Sequence, residues 1–317
     1  MTAAIPQQGS SALGFHPVPK GRRNSLFNLG WPYLLMLPTI ALLVTFTLYP
    51  LVQGLMMAFF KRGVVVVPQV PSTLPQYAGF DNFLGLLSDA DFQTSLVKTV
   101  VFVVVAVPLN IVASLALALL LSPQTRFFAV VRTIVFFPSM ISLLIIGVSW
   151  RWLFGLNNGL VNYLLSLAGI APVPWLEQDT MAQIAMIIAW VWAQAGFNMM
   201  IFIAGLTAIS ADYYEAASID GTSKWRQFTH ITLPLLRPTM AVVLVLSSIE
   251  AFKVYELVVS LTGGGPGKAT VYLIQTIYDT AFQKPMQAGV AAAQSMVLFA
   301  ILLLLTIVQL RLSRSQT

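Results

Sequence analysis

The residues best placed to do chemistry lie in one short stretch: Glu215-Ala216-Ala217, then Asp220-Gly221, then Ile231-Thr232-Leu233-Pro234. A carboxylate in the first turns of a short helix is favoured by the helix dipole, and Asp212 is the expected cap. Ala216 and Ala217 keep the helix narrow enough to enter a groove. Gly221 can end it, because glycine takes a left-handed turn at little cost. Leu233-Pro234 then turns the chain away. A short helix with small side chains is built to dock rather than to catalyse.

Other candidates for chemistry fail on inspection. The loop Thr262-Gly-Gly-Gly-Pro-Gly-Lys-Ala-Thr270 looks like a phosphate cradle. A P-loop, however, needs glycine five residues before its Gly-Lys pair and Ser or Thr after it. Thr262 and Ala269 occupy those positions, so no nucleotide site is expected. The chain has no Cys and two His, His16 and His230, which argues against disulfides, iron–sulfur clusters and a histidine metal site. No nucleophile, histidine and acid can be assembled. Neither catalysis nor a metal or cofactor held by this chain is expected.

The elements around these residues are apolar. Of 317 residues, 57% are hydrophobic and 9% charged, with mean hydropathy +0.82. Soluble domains carry roughly 25% charged residues. Six hydrophobic stretches are long enough to cross a bilayer, at about 31–59, 95–121, 128–153, 182–206, 237–261 and 286–310. They are apolar on every face, as helices are, rather than alternating like barrel strands. The expectation is an all-α membrane protein with six transmembrane helices. A polar tail occupies 1–30, the membrane domain 31–311 with a loop at 210–236, and a short tail 312–317.

Charge sets the orientation. Of the 17 Lys and Arg, ten fall on the N-terminal side of the alternation: Lys20, Arg22, Arg23, Arg126, Arg132, Lys224, Arg226, Arg237, Arg311 and Arg314. Lys61, Arg62, Lys98, Arg151, Lys268 and Lys284 fall on the other, and Lys253 lies within the fifth stretch. Excess basic charge marks the cytoplasmic side, so both termini are expected there. The net charge of +6 then needs no nucleic acid to explain it.

Polar groups inside apolar helices are costly enough to mark function, and a path for a solute is one use for them. Trp190, Gln194, Phe197 and Asn198 recur at the spacing of one helical face. An aromatic platform beside amides suits a sugar, whose ring stacks while its hydroxyls are bound; a polar seam between helices is the alternative. Glu250, Lys253 and Glu256, three residues apart, either line the path or form an ion pair that pins this chain to a partner.

The 213–238 stretch resembles the EAA loop of binding-protein-dependent ABC importer permeases, matching Glu-Ala-Ala, three residues, Gly, nine residues, Ile-x-Leu-Pro. Residues 261–283 and 150–170 are similar to the carbohydrate group that contains the maltose and glycerol-3-phosphate permeases. The resemblance runs from Trp31 to Arg311 and implies the type I importer permease fold in a prokaryotic plasma (inner) membrane. It also implies a second homologous permease, two copies of a cytoplasmic ATPase that hold ATP and magnesium, and a soluble or lipid-anchored sugar-binding protein. The coupling residues would be Glu215, Ala216, Ala217, Asp220, Gly221, Leu233 and Pro234. The alternatives are a permease for glycerol phosphodiesters or other non-sugar cargo, and an ion-coupled transporter relaying through Glu250, Lys253 and Glu256.

Overall fold

The computed structural model describes residues 25–61, 76–284 and 287–314. His16, Lys20, Arg22, Arg23 and Arg62, with most of the expected tail, lie outside them. The described residues are helical almost throughout, and their one strand-like pairing is an isolated bridge between Phe60 and Tyr77. The chain divides into two units, one ending at Gln53 and one beginning at Gly54.

α1 (Ser25–Leu43) passes through a π turn, Val44–Leu48, into α2 (Tyr49–Met57), within which the first unit ends. Pro50 has no N–H and its ring presses on the carbonyl one turn back, so the helix widens just before it. Tyr49 N donates instead to Val44 O, five residues back. Leu34–Met57 is an apolar helix of 24 residues, long enough to span. The helix begins at Ser25, ahead of the boundary expected at Trp31.

The next helices of the second unit are α3 (Asp81–Leu86) and α4 (Ala90–Leu121). Asp89 caps α4, its Oδ1 accepting from the amides of Asp91 and Phe92 at 3.0 and 3.1 Å. Then come α5 (Arg126–Phe136), a 3₁₀ turn at Phe137–Met140, and α6 (Leu143–Leu153). The third expected span, 128–153, is therefore not one helix. Pro138 removes a donor, Ile141 is extended, and Ser142 starts a new helix by capping Leu144 N at 3.3 Å. The two halves meet at 101°.

After α7 (Leu160–Leu167), α8 (Asp179–Thr207) runs unbroken for 29 residues. It is followed by α9 (Ala211–Ile219), α10 (Lys224–Gln227), α11 (Leu233–Leu235) and α12 (Arg237–Phe252). The chain bends 65° between Leu235 and Arg237, where Pro234 and Pro238 flank the corner. The fifth expected span, 237–261, is also corrected: α12 stops at Phe252 and α13 (Glu256–Leu261) starts afresh. The unit closes with α14 (Leu273–Tyr278) and α15 (Ala288–Arg314). Among the described residues four continuous helices can cross a membrane, and up to six spans result if each of the two bent pairs counts as one.

The broken spans place α13 against α6. Gly147 makes the approach possible, since a Cβ there would lie 2.9 Å from Ser260 Cβ and 3.1 Å from Leu261 N. Small residues let membrane helices close in this way.

α4 and α8 run side by side in the same direction. Phe102 meets Trp190 with ring centroids 5.8 Å apart, and eight residues on in each helix Asn110 meets Asn198. Asn198 Nδ2 donates to Asn110 Oδ1 at 2.6 Å and to Ser247 Oγ of α12 at 2.9 Å. Ser114 Oγ donates to the same Asn110 oxygen at 3.2 Å. All four residues are buried. One helix further out, Gln309 Nε2 of α15 donates to Ser248 Oγ at 3.1 Å. Asn198 thus ties α8 to α4 and α12, and a separate polar bond ties α12 to α15.

Asn110→Ala and Asn198→Ala should each destabilise the assembled protein, and the double variant should cost less than their sum by about 0.6–1.7 kcal/mol. A thermal-unfolding cycle on the purified complex checks this. Strict additivity would show that the two amides do not act as a pair.

Candidate functional site

The loop at 210–236 begins where α8 ends. Ser210, not Asp212, is the cap of α9: its Oγ accepts from Asp212 N at 3.3 Å, which places Asp212 inside the first turn. Both residue types cap well, and the chain takes the earlier one. At the other end Gly221 has φ +73°. Thr222 N donates to Ala217 O at 2.9 Å and Gly221 N to Ser218 O at 3.1 Å, the double bond of a Schellman stop. Asp220 is the C-cap residue.

The helix is held firmly on one side and open on the other. Buried Gln227 of α10 donates through Nε2 to Ser218 Oγ at 3.1 Å and to Thr222 O at 3.3 Å. Tyr214 Oη and Thr232 Oγ1 lie 2.9 Å apart, and Leu233 and Pro234 are half-buried behind them. Glu215, Ala216, Asp220 and Gly221 are exposed and Ala217 is half-exposed. Ile219 is 87% exposed, an apolar knob beside a carboxylate. A Cβ added at Gly221 would meet nothing within 4 Å. Only the backbone angle restrains that position.

The expected sugar face on α8 is not assembled as the spacing predicts. Trp190 is fully buried among the core side chains and its Nε1 lacks a partner. Asn198 is committed to the bonds with Asn110 and Ser247. Gln194 is half-exposed and Phe197 is 46% exposed, so the four do not form one open platform. The helix is wrapped by neighbours on more than half its circumference, which sequence spacing alone does not reveal.

The charged trio is distributed over a helix break. Glu250 sits in the last turn of α12 and Lys253 at its C-cap, with Nζ 3.6 Å from Glu250 Oε1 and both side chains half-exposed. Glu256 opens α13, and its Oε2 accepts from Ser142 Oγ at 3.3 Å. Next to this break Tyr255 stacks on Tyr278 at 5.0 Å, and Tyr278 on Phe282 at 4.8 Å. This ladder was not visible in the sequence, because its members come from three elements. Tyr278 and Phe282 are exposed. Aromatic faces beside a carboxylate and an ammonium are suited to bind a hydroxylated ring.

At the opposite end from α9, the 262–270 loop is folded against α4 and α8. Thr262 Oγ1 and Thr270 Oγ1 lie 2.7 Å apart. Lys98 Nζ donates to Lys268 O at 2.7 Å, Gln183 Nε2 to Ala269 O at 3.1 Å, and Leu273 N to Thr99 Oγ1 at 2.8 Å. Lys268 pairs with Asp91 at 2.9 Å. A cleft of about 340 Å³ lies beside these residues, lined also by Asp279 and Lys284. Burial raises the Asp279 carboxyl above its usual range, with Lys284 opposing the shift.

Comparison with known proteins follows from these features. A profile of binding-protein-dependent transport system inner membrane components matches residues 110–316. The trehalose/maltose transport system permease protein MalF of Thermococcus litoralis is 36% identical over 282 residues, 89% of this chain and 93% of that one. The sn-glycerol-3-phosphate transport system permease protein UgpA of Rhizobium meliloti is 34% identical over 88% of this chain and 93% of that one. A bacterial alginate ABC transporter, solved in complex with an alginate pentasaccharide-bound periplasmic protein, superposes with a TM-score of 0.78 at 25% identity, covering 92% and 96% of the two chains.

The Ser210→Ala variant should weaken α9 locally by about 1 kcal/mol. Amide exchange at Asp212 and Tyr213 should speed up while α8 stays protected. Unchanged exchange would mean that Ser210 does not cap the helix.

Proposed function

We propose a role for this chain from one premise: it belongs to the family of binding-protein-dependent transport system inner membrane components. It is a permease subunit of an ABC importer, a multi-pass component of the inner membrane, and the finer reading is as follows. Its cargo is a carbohydrate or a related polyol or glycoside, delivered by an extracytoplasmic binding protein. The energy comes from two copies of a separate cytoplasmic ATPase, which hold ATP and magnesium, and a second permease completes the pathway. Both termini face the cytoplasm.

The observation that carries this reading is the exposed face of α9. Glu215, Ala216 and Ile219 project from a helix stopped at Gly221 and braced from behind by Gln227 and Tyr214. That is the form of a lever with a partner on its open side. α8 enters the loop and α12 leaves it, and Asn198 to Ser247 ties those two helices together. Force applied to α9 reaches both. The cargo class is supported by relatives named for trehalose/maltose and for glycerol-3-phosphate, and by the Tyr255, Tyr278 and Phe282 ladder, whose Tyr255 lies two residues from Lys253.

On this reading Gln194, Phe197, Glu250, Lys253 and Glu256 border the path, whereas Trp190 and Asn198 shape it from behind. Replacing Gly221 by leucine should abolish transport while ligand capture by the binding protein is unaffected. A purely structural Gly221 would cost only about 1–2 kcal/mol for a side chain in the left-handed region. Normal uptake in the Leu variant would remove the coupling role. Glu250→Gln and Lys253→Met should assemble normally yet change which sugars stimulate ATP hydrolysis. If both variants transport every ligand at the original rate, the pair is not in the path; if both fail to assemble, it pins the partner subunit.

A further inference from the structure

The turn between α4 and α5 has a feature that the transport reading does not use. Gln124, Thr125, Arg126, Ala129 and Arg132 line a wide, shallow depression of about 460 Å³. Arg126 is exposed and Arg132 half-exposed. Arg132 Nε donates to Phe128 O at 3.3 Å, which lays the side chain along the helix. Neither arginine takes part in the three ion pairs among the described residues, Lys61–Asp81, Lys253–Glu250 and Lys268–Asp91. The sequence from Phe92 to Leu176 contains no acidic residue at all. Neither charge thus has an acidic partner within this stretch of chain.

An apolar stripe starts beside them. Phe127, Val130, Ile134 and Phe137 fall at helical spacing and are each between 60% and 70% exposed. From Phe127 to Phe137 the stripe spans about 15 Å at 1.5 Å per residue, about half of the 30 Å hydrocarbon core and so the depth of one leaflet. The parallel run of α4 and α8 fixes the level. With Phe102 beside Trp190 and Asn110 beside Asn198, the end of α4 at Leu121 lies level with the start of the 210–236 loop. Arg126 therefore stands where lipid headgroups stand, Arg132 starts six residues deeper and turns back toward that level through its bond to Phe128 O, and the stripe descends where acyl chains do.

We propose that Arg126 and Arg132 bind the phosphate of an anionic phospholipid whose acyl chain lies along Phe127, Val130, Ile134 and Phe137. Guanidinium groups match phosphate oxygens with paired hydrogen bonds. Charge complementarity selects an anionic headgroup over a zwitterionic one. The stripe selects lipid over a free anion, which would gain nothing from it, and over a soluble partner, which would not reach below the headgroups.

The test uses the complete transporter, extracted in mild detergent and analysed by native mass spectrometry after incubation with phosphatidylglycerol or phosphatidylcholine. The wild-type complex should retain phosphatidylglycerol preferentially. Each R126Q or R132Q substitution should lower that retention about fivefold, and the pair about thirtyfold, from about 1 kcal/mol per basic residue at an anionic surface. R126K/R132K should retain most of it. Inorganic phosphate at equal concentration should not displace the lipid. Equal retention of both lipids, undiminished retention in R126Q/R132Q, or displacement by inorganic phosphate would each overturn the proposal. So would loss of a protein subunit with lipid retention unchanged, because the face would then be an interface between chains. Should the double Gln variant fail to assemble, R126Q alone decides by the same fivefold criterion.

Discussion

A bilayer offers no water to a buried amide, so an asparagine inside a membrane helix must find its partner on another helix. Asn198 does so twice, giving one hydrogen to Asn110 of α4 and the other to Ser247 of α12. Leaving any of these groups unpaired costs about 1–3 kcal/mol, whereas apolar side chains can slide past one another at little cost. The three helices consequently have one register. The Phe102, Trp190 and Tyr272 cluster packs in that register, as does Ser248 with Gln309 of α15.

Fixed register at the centre gives meaning to the two ends. At one end α8 and α12 are joined by the braced α9 loop, whose outer face is exposed. At the other, Lys98 and Gln183 hold the 262–270 loop by its carbonyls, and Lys268 reaches Asp91. Between them lie two helix breaks, at Ile141-Ser142 and at Lys253–Tyr255. Broken helices at membrane depth are tolerated where protein or a cavity covers them. At the second break Glu250 pairs with Lys253, and Tyr255, two residues on, meets Tyr278. In the proposed role, movement applied at α9 passes through a stiff centre to a segment whose hydrogen bonding is already interrupted.

Much of this was legible in the residues. The unbroken spans at α4, α8 and α15 follow from apolar runs without internal turns, and Gly221 follows from the need for a left-handed stop. The breaks were hidden because Pro138 reads equally as a kink, while nothing but Glu250, Lys253 and Glu256 marks the end of α12. The spacing of the trio marks it as costly charge but sets it on one continuous stripe. An amide at Asn110, within VVFVVVAVPLNIVASLALALLL, is as costly there as any polar residue on α8. Residue type points to Trp190 and Asn198, yet their neighbours decide their role: a helix packed against α4, α5, α6 and α12 buries faces that spacing treats as equivalent. The aromatic ladder draws on residues 255, 278 and 282, and only the folded chain brings Tyr255 to the other two.

The central claim is that this chain moves cargo because ATP hydrolysis elsewhere drives it through α9. Uptake into proteoliposomes containing the full complex, loaded with ATP and supplied with the binding protein and a sugar that it captures, tests this directly. Uptake should stop with vanadate and persist when a protonophore collapses the proton gradient. Uptake that survives vanadate but collapses with the protonophore would contradict the account and point to the charged trio as an ion relay.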